Sequence, residues 1–289
     1  MFIFAPILSS LLIFSVPASA VTLWLETSPE DLKENALIEF NAGFADDFDL
    51  VELGPNNIAN IVFPVILGKS GETPTIKEVA PSYAFVTKGA APPGSYVVYS
   101  SYKPWISGQV GRPKNKYVLT AAHVFNIGSA ADDLVTKPTG KIPLEIVPST
   151  NPLQIKAGDR VSLRVLLNGA PLPRAVVLGE PKGYNPKGSK LHARAFYSPT
   201  DDQGKFEFTP LKGGLWFLSV RHSVPNEDKK ESDDVVYLHN FTLHVGEASS
   251  DPATAAHPAS GTKASSAKED PAFPSPDPAA PKSPAPAAK

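Results

Sequence analysis

Three histidines are the residues of this sequence best suited to chemistry. His123, His222 and His239 each fall in a run with the alternating apolar pattern of a β-strand. Neutral imidazole binds borderline divalent ions such as Ni²⁺, Co²⁺ and Zn²⁺, often together with carboxylates. The aspartates that could join these histidines are Asp132, Asp133, Asp228 and Asp234. No short ligand spacing such as HxH or HExxH occurs, so a structural role inside the core is the alternative for each histidine.

Other kinds of site find less support in the residues. The chain has no cysteine, and its one methionine is Met1, which excludes disulfides, thiolate nucleophiles and sites for soft metal ions. No GxSxG motif is present, and no nucleophile is paired with a base in any recognisable spacing. We therefore do not expect an enzyme.

Charge and hydropathy limit the cell compartments and the classes of partner that we expect for this chain. The formal net charge is −2 with no basic block, which argues against nucleic acid or an anionic membrane surface as partner. Residues 1–20 are apolar and end in Ala18-Ser19-Ala20, the small-x-small pattern of a signal peptide cleaved after Ala20. A membrane anchor is the alternative, but Pro6 and Pro17 shorten the apolar run below the ~20 residues that a spanning helix needs. The pattern predicts export and no insertion into a membrane after cleavage.

The histidines must be positioned by β-strands. Residues 117–125 alternate so that His123 shares a face with apolar side chains, and residues 215–222 and 234–245 place His222 and His239 on such faces. Asn168-Gly169 is the preferred pair for a tight type I′ hairpin turn. Six or seven short strands with turns at this spacing in the second half of the chain predict a β-sandwich.

The expected organisation has four parts. The signal peptide covers residues 1–20, an N-terminal β domain covers 21–150, and a C-terminal β-sandwich covers 151–247. Residues 248–289 are rich in Ala and Pro and carry a single aromatic residue, so they predict a disordered tail. The fold class expected for the body is all-β, with two sandwich domains.

Several stretches resemble the NikM-like family of periplasmic proteins. The matching runs include residues 122–126, 132–140, 144–152 and 157–172, followed by Gly214 with Trp216 and the Arg221-His222-Ser223 step. The resemblance implies a periplasmic protein of two all-β domains, the second similar to the transthyretin-like or carboxypeptidase-regulatory sandwich. The family is largely of unknown function, and its best understood relatives are accessory components of nickel and cobalt uptake. Members commonly begin the mature chain with a histidine, where this sequence has Val21.

Two functions from different classes follow. The first is a metal-binding accessory protein that passes a divalent ion, Ni²⁺ or Co²⁺, to a membrane transporter or an outer-membrane receptor. Its expected ligands are His123 and His222, supported by Asp132, Asp133 and Asp234. The second is a module that binds no metal and recognises a protein receptor or a polysaccharide of the cell envelope through its loops, with structural histidines.

Overall fold

The computed structural model describes seven stretches of the chain. They are residues 22–27, 37–45, 59–77, 85–108, 111–128, 132–184 and 194–248. The described residues all belong to one compact unit. The predicted signal peptide, and all but the first residue of the predicted tail, lie outside the described residues.

The architecture is all-β, as the alternation predicts. Within the described residues, the only helical element is a 3₁₀ turn at Leu134–Thr136. The strands of the first half are β1 (Thr22–Thr27), β2 (Glu39–Ala45), β3 (Val65–Gly68), β4 (Gly71–Lys77), β5 (Phe85–Thr87), β6 (Gly94–Ser101), β7 (Trp105–Ser107) and β8 (Asn115–Ile127). Those of the second half are β9 (Leu144–Pro148), β10 (Val161–Leu167), β11 (Ala170–Pro171), β12 (Val176–Pro181), β13 (Phe196–Pro199), β14 (Lys205–Phe208), β15 (Gly214–Pro225) and β16 (Asp234–Val245).

A large central sheet organises the molecule. Its strands lie in the order β4-β3-β6-β8-β16-β15-β12-β13, with β7 beside the first part of β8. The long strands β8 and β16 run parallel, and their register pairs Asp234 with Asn115 and Thr242 with His123. The remaining pairs of this sheet are antiparallel. Strands on both sides of the predicted boundary at residue 150 therefore hydrogen-bond to each other, and that boundary stays a prediction.

An N-terminal sheet covers one face of the central sheet. It consists of β1, β2, β5 and the last residues of β4. The first part of β4 pairs with β3 of the central sheet, and its last part pairs with β5. Apolar residues from both layers form one core cluster, for example Leu23 and Phe40 from the N-terminal sheet with Leu119 and Phe125 from β8. Burial of these side chains stabilises the pair of layers.

A facing sheet covers the other face. It consists of β9, β10, β11 and β14, with β10 in the middle. Leu163, Val165, Phe206 and Phe208 point from it toward Trp216 and other residues of the central sheet. Two packed sheets with interdigitating apolar faces define a β-sandwich, which confirms the predicted fold class.

The predicted hairpin turn is present between β10 and β11. Asn168 has φ = 51° and Gly169 has φ = 79°, and a type I′ turn requires positive φ at both central residues. The alternation predicted for the His123, His222 and His239 strands is also confirmed, because their odd and even residues enter different core clusters.

Candidate functional site

His123 is fully buried between the N-terminal sheet and the central sheet. Its Nδ1 lies 2.9 Å from Oγ1 and 3.1 Å from the carbonyl oxygen of Thr242, and its Nε2 lies 2.8 Å from Oγ1 of Thr27. A carbonyl oxygen only accepts, so we assign the ring proton to Nδ1, and Nε2 then accepts from the Thr27 hydroxyl. Both nitrogens are thereby used in joining β1, β8 and β16.

Burial keeps this imidazole neutral. Removal from water, together with the nearby His244, lowers the pKa of His123 to about 3, although the hydrogen bond with the Thr242 backbone opposes the shift. The two rings meet edge to face with centroids 5.9 Å apart. The arrangement matches the structural alternative for His123.

His222 lies on the opposite face of the central sheet from His123. It pairs with Tyr237, which packs against the cluster under the facing sheet, whereas the neighbours of His123 belong to the cluster under the N-terminal sheet. Tyr237 is also the register partner of Val118, which stands five residues before His123 on β8. The two histidines are therefore separated by roughly 16 Å along the strands as well as by the sheet itself.

Asp132 and Asp133 are occupied by other partners, and Asp234 lies far from both. Asp132 accepts hydrogen bonds from the backbone N–H groups of Leu134 and Ser95, and Asp133 forms an exposed ion pair with Lys137 at 2.9 Å. Lys137 lowers the pKa of the Asp133 carboxyl by this contact. Asp234 starts β16 beside Asn115, at the far end of β8 from the Asn126–Ser95 pair next to Asp132.

The structure does not bring the five predicted ligands into one cluster, and a metal site built from them stays a prediction. His123, His222, Asp132, Asp133 and Asp234 stand on different faces and ends of the sheets, and no group of three His, Asp or Glu residues suited to an ion occurs in the part of the chain that the structure describes. Strand alternation fixed the face of each side chain correctly. It could not show that the two histidines would be divided by the sheet.

A more suggestive site lies where the loop before β9 meets the β10–β11 turn. An open pocket of about 400 Å³ is lined there by Pro138, Gly140, Lys141, Ile142, Pro143, Glu145, Asn168 and Gly169. The backbone N–H of Asn168 donates to the carbonyl oxygen of Pro143 at 2.6 Å, which ties the two loops into one wall. Lys141 reaches across to Glu72 at 3.0 Å, and this contact lowers the pKa of Glu72.

Glu145 is the buried charged residue among those that line this pocket. It is 5% exposed, and its carboxylate accepts hydrogen bonds from the backbone N–H of Thr139 at 3.0 Å and from the Thr139 hydroxyl. Burial raises the pKa of Glu145, while hydrogen bonds from Thr139 and from the backbone of Ile142 and Gly140 oppose that shift. Its simplest role is to hold the loop of residues 139–142 in place. A lone charged residue in the apolar run 144–148 is the sequence signal that could have drawn attention to it.

Behind Glu145 lies a small cavity that contains His239. The cavity holds about 20 Å³ and is lined by both residues, together with Thr139, Phe241 and other side chains. Nδ1 of His239 is hydrogen-bonded to Oγ1 of Thr120 at 3.0 Å, and its Nε2 is buried with no partner among the described residues. Burial lowers the pKa of His239 to about 3. The sequence correctly placed His239 on an apolar face but gave no reason to prefer it over His123.

Comparison with protein-family models shows which family the chain belongs to. The model of a domain of unknown function, DUF4198, matches residues 18–224. The chain belongs to the DUF4198 family. The family description assigns no activity, and the match gives no link to the NikM-like proteins or to nickel and cobalt uptake, so only the coarser part of the predicted resemblance is confirmed.

Comparisons with curated proteins and with solved structures do not indicate a function for this DUF4198 member. No curated protein matches the chain. Among solved structures, the D0-D1 domain of Intimin is 14% identical over 77% of this chain and 98% of its own, with a TM-score of 0.18. The D00-D0 domain of Intimin is 12% identical over 75% and 98%, with a TM-score of 0.18, and a marsupial T cell receptor is 10% identical over 78% and 73%, with a TM-score of 0.20. At such scores the likenesses do not bear on the architecture, which rests on the strand pairing. No helix within the described residues has the length and hydropathy to cross a bilayer.

Proposed function

We propose that this protein is an exported interaction module that binds a saccharide of the cell envelope in the open pocket beside Glu145. The preformed pocket carries the proposal. Its volume of about 400 Å³ falls in the range of roughly 300–1,000 Å³ that small-molecule sites occupy. Loops at the end of a rigid sandwich are also the usual place for binding residues.

The lining has the mixture of groups that a sugar requires. Pro138, Ile142 and Pro143 offer apolar surface for the C–H face of a ring. Lys141 supplies N–H donors, and the Asn168 amide supplies both a donor and an acceptor. Sugar hydroxyls donate and accept, so they match this set better than a purely apolar or purely charged ligand would.

The pocket wall is held before any ligand arrives. Glu145 bonds to Thr139, the Thr139 hydroxyl accepts from the N–H of Lys141 at 3.2 Å, and Asn168 bonds to Pro143. A preorganised wall loses little conformational entropy on binding, which favours affinity.

Delivery of nickel or cobalt is the less favoured function. It would need ligands other than the predicted five, since these do not meet. Both functions imply the same periplasmic location. Only a binding measurement can therefore distinguish the interaction module from the metal carrier.

The test is a binding titration of the purified full chain with neutral oligosaccharides, followed by saturation-transfer NMR and calorimetry. We expect binding by the wild type, and roughly tenfold weaker binding after Lys141→Ala or Asn168→Gly, as expected for the loss of about 1.4 kcal/mol. Glycine at position 168 keeps the positive φ of the turn. Lys205→Ala, on the edge strand β14, is the matched control and should bind as the wild type does.

Two results would contradict the proposal. One is the absence of saccharide binding by the wild type. The other is tight binding of Ni²⁺ or Co²⁺, with a Kd well below ~10⁻⁴ M, which would restore the metal function.

A further inference from the structure

Strand β1 is fastened to the central sheet by a row of polar side chains on β16. Alternate residues of β16 bond to alternate residues of β1, so the row lies on one face of β16. The pairs are Asn240 with the carbonyl oxygen of Leu23, Thr242 with that of Leu25, and His244 with the backbone of Thr27. Among the described strands, β2 alone pairs with β1 through the backbone. The polar attachment of β1 to the central sheet therefore runs through side chains.

Two histidines meet at the last residue of β1. Nε2 of His123 lies 2.8 Å from Oγ1 of Thr27, and His244 bonds to the backbone of the same residue. The two rings stand edge to face, with centroids 5.9 Å apart. Nε2 of His244 is buried and has no hydrogen-bond partner among the described residues. The end of β1 thus rests on His123 and His244, which we call the histidine pair.

The histidine pair takes up charge only at a cost while β1 is in place. Burial, together with the neighbouring ring, lowers the pKa of His123 to about 3, and burial also lowers the pKa of His244. A charged His244 carries an N–H at Nε2, for which the described residues provide no acceptor. A second proton on His123 would set two like charges side by side away from water, where their repulsion is weakly screened.

The charged neighbours of the pair do not offset this cost. Glu26 on β1 favours a charged His244, and Lys182, which follows β12, disfavours it. These two side chains are paired with each other at 2.7 Å, so the carboxylate already has a cation. Within the part of the chain that the structure describes, no charged group of β2, β6 or β15 acts on either ring.

Acid therefore favours a state in which both rings reach water. A free imidazole has a pKa of about 6.5, above the pKa of either ring in the folded protein, so exposure of the rings is coupled to proton uptake. The attachment has its full strength above pH 6.5 and weakens as the pH falls from 6.5 toward 3. Each pH unit in this window shifts the equilibrium toward exposure by up to about tenfold for each ring.

We propose that the histidine pair is an acid-sensitive latch, whose protonation releases β1 from β16 while the central and facing sheets stay folded. Both rings lie on the face that the N-terminal sheet covers, so the apolar cluster under the facing sheet remains buried when β1 leaves. Acidification then exposes apolar residues of the other cluster, such as Leu119 and Leu238. The latch is independent of the proposed saccharide pocket.

Two adjacent alanines of β8 provide a matched pair for the test. Ala121 belongs to the cluster under the N-terminal sheet and Ala122 to the cluster under the facing sheet, and both are buried. The chain has no cysteine, so Ala121→Cys or Ala122→Cys introduces a single thiol. Dithiodipyridine reacts with thiols even in acid and reports when that thiol is exposed. Each rate is divided by the rate of the urea-unfolded chain at the same pH, which removes the effect of pH on the thiol itself.

The relative rate for Ala121→Cys should rise about tenfold or more between pH 7 and pH 5. At pH 5 it should exceed the rate for Ala122→Cys by a similar factor. Addition of His244→Gln leaves one titrating ring at the latch, so it should reduce the rise about threefold or more. Addition of His222→Gln, on the opposite face of the sheet, is the control and should leave the rise unchanged.

Three results would overturn the latch. They are equal rates for the two thiols, a rate for Ala121→Cys that does not change with pH, and a rise that His244→Gln leaves intact. If either cysteine variant fails to fold by circular dichroism, hydrogen exchange of the wild-type chain decides. At pH 5 the amides of β1 must then exchange about tenfold or more faster than those of β10, after correction for intrinsic rates, and equal protection overturns the inference.

Discussion

At the residue scale, the histidines show how the same residue type serves different ends. His123 bonds through both ring nitrogens to threonines of two neighbouring strands, whereas His239 bonds through only one. Both are fully buried. Their sequence contexts are alike, since each alternates with apolar residues along a long strand. The extra partner that β1 supplies through Thr27, and not the strand pattern, separates the histidine with both nitrogens bonded from the one with a single bond.

The two buried imidazoles predict that stability falls on acidification. The folded pKa of each is about 3, below the ordinary value of 6.5, so the unfolded chain binds more protons between these values. Their contribution is fully present above pH 6.5 and is lost as the pH falls toward 3. Each additional proton bound by the unfolded chain changes the free energy of unfolding by about 1.4 kcal/mol per pH unit. Urea unfolding between pH 6 and 4.5 measures the slope.

Variants assign that slope to particular residues. The wild-type chain takes up protons when it unfolds in this pH range. His239→Leu should reduce that uptake by about one proton and lower the slope accordingly. His222→Leu should change it less, because His222 is only half-buried. A wild-type stability that stays constant over this range would show that the imidazoles are not sealed from water.

At the scale of elements, β1 is attached to the central sheet mainly by side chains. Asn240 Nδ2 donates to the carbonyl oxygen of Leu23, and Thr242 Oγ1 donates to that of Leu25, both at 2.6 Å. These bonds satisfy carbonyl groups on the side of β1 where none of the described strands pairs with it. The strand also places Trp24 against Gly43 of β2, its register partner.

Gly43→Ala should therefore destabilise the N-terminal sheet. A Cβ at position 43 would lie 1.9 Å from Cε2 and Cζ2 of the buried Trp24 ring. Relief of that overlap requires movement of a packed aromatic side chain, and overpacking of this kind costs about 1–3 kcal/mol. Urea unfolding followed by tryptophan fluorescence measures the loss.

The matched control for this prediction is Gly89→Ala. A Cβ at Gly89 meets no atom within 4 Å, so its effect should be within about 0.5 kcal/mol. Equal stabilities of the two variants would contradict the packing described for Trp24.

At the scale of the whole molecule, one sheet unites the two halves of the chain. The parallel pairing of β8 with β16 runs from Asn115 to Val124, and core clusters cover both faces of these strands. Parallel strands are normally buried on both sides, and here the N-terminal sheet and the facing sheet supply the two covers. Removal of either half of the chain would expose one of these faces.

We therefore expect a single unfolding transition for residues 22–248. Calorimetry should give equal calorimetric and van't Hoff enthalpies, and fluorescence and circular dichroism should show the same midpoint. A chain that ends after residue 150 should not fold, because β8 would lose its partner β16. Two resolved transitions, or a folded fragment, would instead favour two independent domains at the predicted boundary.

The sequence by itself determined the local features of this protein. Alternation assigned His123, His222 and His239 to apolar faces of their strands, and Asn168-Gly169 fixed a turn, since each depends only on residues a few positions apart. Tertiary structure decided which distant residues meet. It divided His123 from His222 by a sheet, and it placed Glu145, a single charge in an apolar strand, in the lining of the same small cavity as His239. Register between strands almost a hundred residues apart sets those distances, and no local pattern contains it, because pairing depends on how all three layers bury their apolar faces together.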